Sequence, residues 1–68
     1  MSRETIRNRQ SVMIGVIETD AQGKQIARDT KFTRLGEYDP RSDKTRDANY
    51  RLLGTGNLLA ALIWDAAG

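Results

Sequence analysis

The fold class predicted for this chain is α+β and rich in β: an antiparallel meander of three to five short strands followed by one C-terminal helix. Three observations predict it. Ser11 to Thr19 (SVMIGVIET) concentrates β-branched residues and is followed at once by turn residues. Asp20, Asp29, Asp39 and Asp47 each open a polar stretch, at intervals of 9, 10 and 8 residues, and turn signals spaced near ten residues are the mark of a meander. Leu58 to Ala66 is rich in Leu and Ala, the strongest helix formers, and holds neither Gly nor Pro.

Met1 to Gln10 reads as a flexible basic arm, residues 1–10, because only Ile6 offers a side chain to bury and Arg3, Arg7 and Arg9 face only Glu4. The folded domain is expected to span 11–68. In its first strand, period-2 alternation sends Val12, Ile14 and Val16 to one face and Met13 and Ile17 to the other, so both faces need cover. Asp20-Ala21-Gln22-Gly23-Lys24 then has an Asp to open a turn and a Gly where the backbone needs positive φ, the grammar of a hairpin with a type I turn and a bulge. Its return strand is Gln25 to Arg28, with Ile26 inward.

The middle of the chain admits two readings. Short strands over Arg34 to Tyr38, Lys44 to Arg46 and Arg51 to Leu53 fit the Asp spacing, and Pro40 presets φ in the turn Asp39-Pro40-Arg41-Ser42-Asp43. Alternatively Lys24 to Tyr38 is one long bent strand, because Phe32 and Tyr50 stand where tight hairpins want glycine and aromatics adopt positive φ poorly. An internal repeat runs through the same region. Arg28 to Gly36 and Arg46 to Gly54 share R-D-x-x-aromatic-x-x-L-G, with a fainter copy at Arg7-Asn8, Ser11 and Ile14-Gly15. Turn and core residues of successive hairpins account for this pattern more simply than a ligand-stacking array.

Gly54-Thr55-Gly56-Asn57 breaks the strand pattern and supplies Asn57 as a helix N-cap. It lacks the Gly-rich signatures and the βαβ setting of a phosphate loop, and reads as a connector. In the helix, Leu58, Leu59, Leu62, Ile63 and Trp64 spread round the circumference with Asp65 as the only charge, and one small sheet covers only one side of a helix. A chain of 68 residues with neither Cys nor His has no disulfide and no usual zinc ligands to reinforce its core, which leaves oligomerisation. The five apolar helix residues are therefore the expected interface of a homodimer, intertwined or strand-swapped.

The function classes follow by exclusion. Without His or Cys the usual triads and thiol nucleophiles are out of reach, every Asp sits beside a turn signal or among Lys and Arg, and no EF-hand pattern is present. No catalytic residue, cofactor, metal or small-molecule ligand is expected. The longest apolar run, Leu58 to Trp64, is seven residues, against the roughly 20 of a membrane helix, and no secretory h-region precedes it, so a cytoplasmic location is expected. The leading expectation is a small non-enzymatic structural or interaction protein that self-associates. The alternative is a dimeric nucleic-acid-binding protein whose candidate contacts are Arg3, Arg7 and Arg9, although nine acids among eleven Lys and Arg leave a net charge of only +2. An inhibitor or antitoxin of a larger protein is a distant third.

Overall fold

Residues 2–68 are described by a computed structural model, in which six strands precede one helix: β1 (Ser2–Arg7), β2 (Met13–Thr19), β3 (Gln25–Arg28), β4 (Arg34–Asp39), β5 (Lys44–Asp47), β6 (Leu52–Thr55) and α1 (Leu59–Ala67). The strands form one antiparallel sheet in chain order, so the meander followed by a helix is present with more strands than the three to five expected. Among the described residues, no helix is long and apolar enough to cross a membrane.

The additional strand is β1, and it corrects the expectation of a flexible arm over 1–10. Ser2 to Arg7 pairs with β2 from Ser2↔Thr19 to Arg7↔Met13. Met1, the first residue of that expected arm, lies outside the described residues. The segment escapes a hydrophobic reading because it is an edge strand. Its ladder needs backbone groups rather than apolar side chains, only Ile6 reaches the core margin, and charged residues such as Arg3, Glu4 and Arg7 suit an edge.

One turn geometry punctuates the sheet four times. In the turn after β1, Asn8 Oδ1 accepts the N–H groups of Gln10 and Val12, and Asn8 and Val12 close the loop through their backbones. Asp20, Asp29 and Asp47 each accept two N–H groups at the same offsets. The fourth residue of every turn has positive φ: Ser11 (64°), Gly23 (86°), Phe32 (63°) and Tyr50 (64°). This decides between the two readings of the middle of the chain. Lys24 to Tyr38 is two strands with a tight turn between them, and the aromatics do occupy the left-handed region.

What holds them there is local. The left-handed conformation costs a non-glycine residue roughly 1–2 kcal/mol, and each net hydrogen bond returns about 1 kcal/mol. Besides the two Asx bonds, the arginine before the Asx residue donates to the carbonyl of the positive-φ residue: Arg7 to Ser11 (2.9 Å), Arg28 to Phe32 (3.1 Å) and Arg46 to Tyr50 (3.2 Å).

After three of these turns the register slips by one residue, at Ile6/Arg7, Ala27/Arg28 and Thr45/Arg46, which leaves Ile14, Leu35 and Leu53 as bulge residues. The bulge corrects the expected alternation of β2. Ile14 joins the core cluster of Ile17, Ala27, Leu59 and Ile63 rather than sharing a face with Val16, which is buried outside that cluster.

The residue after each bulge is a glycine, and it seats the helix. A Cβ on Gly15 would stand 2.7 Å from both Ile63 Cγ2 and the Arg28 carbonyl. One on Gly36 would stand 2.6 Å from Leu62 Cδ1 and 2.5 Å from the Arg46 carbonyl. Leu58, just before the helix, comes within 3.1 Å of a Cβ on Gly54, and α1 then runs back across β4, β3 and β2. Close approach of helix and sheet is what the Leu-Gly positions of the sequence pattern encode.

Candidate self-association surface

The connector from β6 to α1 is pinned by one buried side chain. Thr45 on β5 is fully enclosed; its Oγ1 donates to the Gly56 carbonyl (2.6 Å) and accepts the Leu58 N–H (3.0 Å). Gly56 N–H in turn reaches the Asp43 carbonyl (2.7 Å), and Asn57 Oδ1 accepts the Leu59 N–H (3.1 Å). Asn57 bonds the first helical N–H, but the N-cap position falls to Leu58, whose side chain makes no cap bond, because the helix begins at Leu59 rather than Leu58. These bonds fix which side of α1 meets the sheet.

The five apolar helix residues expected to form a dimer interface divide accordingly. Leu59 and Ile63 are wholly buried against the chain's own sheet, and Leu62 is half-buried over Gly36. Leu58 and Trp64 remain 36% and 49% exposed. Beside them the edge strand β6 leaves Leu52 53% and Leu53 44% exposed. Leu52, Leu53 and Leu58 are exposed at the open β6 edge and the connector after it, while Trp64 is exposed further along α1, next to Ile63, which packs on β2. Leu52 and Leu53 were not singled out from sequence. The bulge at Leu53 breaks the alternation by which sequence would assign their faces, so no periodic signal marks them.

The opposite edge has a different character. β1 carries Arg3, Glu4 and Arg7, and its cations are engaged. Arg3 pairs with Glu18 (2.9 Å) and lies over the Phe32 ring at 5.6 Å, and Arg7 holds the Ser11 carbonyl. Of the three candidate nucleic-acid contacts, Arg3 is in an ion pair, whereas among the described residues Arg7 and Arg9 have none, and Arg9 is exposed in its turn. The arginines further along the chain are engaged as well. Arg28 joins Glu18 (2.6 Å), while Arg34 joins Glu37 (3.1 Å), donates to the Ala48 carbonyl and lies 4.3 Å from the Tyr50 ring.

Two pKa shifts follow from this network. The hydrogen bonds from Arg28 and then Arg3 hold the Glu18 carboxyl below the usual carboxylate range, and the bond to Glu37 raises Lys24. Across the β4–β5 turn, Tyr38 donates to Asp43 (2.7 Å), and that bond raises its phenol. Among the described residues no group of three His, Cys, Asp or Glu side chains is placed to hold a metal ion.

No family model matches this sequence, and neither a curated protein nor a solved structure is significantly similar to it.

Proposed function

We propose that this chain is a non-enzymatic structural or interaction module whose partner is a second copy of itself, in a homodimer joined along the β6 edge and the outer side of α1. The observation that carries this reading is the exposure of Leu52, Leu53 and Leu58 at the open edge of the sheet, with Trp64 exposed further along α1. An apolar edge strand without a charge or proline to guard it invites pairing with another chain. Contact between copies removes the same patch from water on both.

Exchange of a strand is the variant to expect of β1, which packs on β2 and joins the rest of the chain through the Asn8 turn. Nucleic-acid binding through Arg3, Arg7 and Arg9 has less support. Arg3 is paired with Glu18, and nine acids interspersed among the cations leave no clustered basic stripe for a phosphate backbone. The self-association reading is tested by Leu53→Asp combined with Trp64→Asp. Both positions are exposed, so the variant should keep its far-UV dichroism while its sedimentation mass falls to that of one chain. An unchanged mass would place the contact elsewhere.

A further inference from the structure

The β4–β5 turn is tied to the start of α1 through Asp43. This residue stands in the left-handed region (φ 56°), which is strained for a side chain bearing a Cβ. At Phe32 and Tyr50 an arginine holds the carbonyl of the positive-φ residue. At Asp43 that carbonyl instead accepts the N–H of Gly56 (2.7 Å), within the connector that Thr45 pins. Side-chain support comes from Tyr38, whose hydroxyl donates to Asp43 Oδ1 (2.7 Å).

Two acids act on the Tyr38 hydroxyl, Asp43 across the turn and Asp39 beside it on β4, and the bond to Asp43 raises the phenol above the usual tyrosine range. On β3 the residue opposite Tyr38 is Gln25, and Lys24 before it pairs with Glu37. On β5 it is Thr45, with Lys44 opposite Asp39, and α1 carries its only charge, Asp65, in its last turn. A neutral phenol donates to the carboxylate. A phenolate has no proton to give and sets a second negative charge against it.

We propose that the Tyr38–Asp43 pair is a latch on the start of α1, closed while the phenol keeps its proton and opened by its ionisation. In the open state Asp43 relaxes from its left-handed conformation, its carbonyl turns away from Gly56, and the connector and first helical turn lift from the sheet. Linkage has the matching sign. A group whose pKa is raised in the folded state stabilises it below the unfolded pKa and loses that contribution as pH climbs through the folded one, so the latch is shut at neutral pH. Leu59, enclosed while the latch is shut, is the side chain that opening exposes.

Methyl NMR reads the latch. Leu59 is the first helical residue and Val16 is buried on the sheet outside the cluster that α1 covers, so the two separate undocking from unfolding. In an alkaline titration, the Leu59 methyl signals should move to free-chain positions as Tyr38 ionises, with those of Val16 unmoved. Asp43→Asn keeps an oxygen for the phenol and can turn its amide toward the phenolate, so Leu59 should stay docked over the same range. At neutral pH, Tyr38→Phe keeps the ring and removes the hydroxyl, and the Gly56 and Leu58 amides should exchange several-fold faster than in the parent. Should Tyr38→Phe fail to fold, the comparison with Asp43→Asn decides alone. Leu59 signals that hold through the ionisation, or that move together with those of Val16, would overturn the latch. Equal release in Asp43→Asn would overturn it too, as would unchanged exchange at Gly56 and Leu58.

Discussion

Thr45 is the residue on which the join between sheet and helix depends. Its hydroxyl satisfies one donor and one acceptor at the start of α1, where helix backbone groups lack partners of their own. Valine keeps the shape and removes both bonds, and each buried group left without a partner costs about 1–3 kcal/mol. Both bonds are only part-buried, which places each group toward the lower end of that range, so Thr45→Val should lower stability by about 2–4 kcal/mol, read from the urea midpoint, whereas Thr45→Ser should keep most of it. Tyr50 illustrates the opposite balance. Its positive φ costs roughly 1–2 kcal/mol, and an exposed cation–π contact such as that with Arg34 returns only about 0.5–1. Tyr50→Gly should therefore unfold at the same denaturant concentration as the parent or a slightly higher one. A clear loss would mean that the aromatic contributes more than its stack. Thr45 could not be found in the sequence, where it is one threonine among basic residues and its two partners lie eleven and thirteen residues away.

At the scale of elements, the turns were legible and the edge was not. Asp20, Asp29, Asp39 and Asp47 do open turns, because an Asx side chain can take the N–H groups that a tight turn leaves free. Phe32 and Tyr50 obscured two of those turns, since the arginine clamps that support them act through space. β1 was missed because a polar edge strand has no periodicity to detect. Its removal is informative for that reason. A domain of this size has about 3–5 kcal/mol of stability from its core. Deleting residues 1–7 removes a six-pair ladder and exposes the apolar β2 as an edge. The truncated chain should lose its cooperative unfolding transition or aggregate. The sheet is also tuned by pH through Glu18, whose carboxyl is depressed by Arg28 and Arg3. Its contribution is present above the unfolded pKa and lost as pH falls through the lower folded value, so Glu18→Gln should flatten the acid limb of the stability curve. Lys24 and Tyr38, both raised, act at the alkaline end, where their contributions fade as pH climbs past their folded values.

For the molecule as a whole, the helix was anticipated as an element but its burial was not. Five apolar residues round the circumference suggested that all needed a partner chain. The seat glycines let the sheet enclose Leu59 and Ile63 on its own, and apolar side chains left exposed include Trp64 on α1 and Leu52, Leu53 and Leu58 at the β6 edge. The open β6 edge, with Leu52, Leu53 and Leu58 exposed at it, is the surface the proposed second copy would cover. The most direct test of that claim is the mass of the untagged chain by light scattering after size exclusion at micromolar concentration. Assembly predicts a mass near twice 7.6 kDa that falls on dilution. A folded species that stays at 7.6 kDa across the concentration range would contradict it.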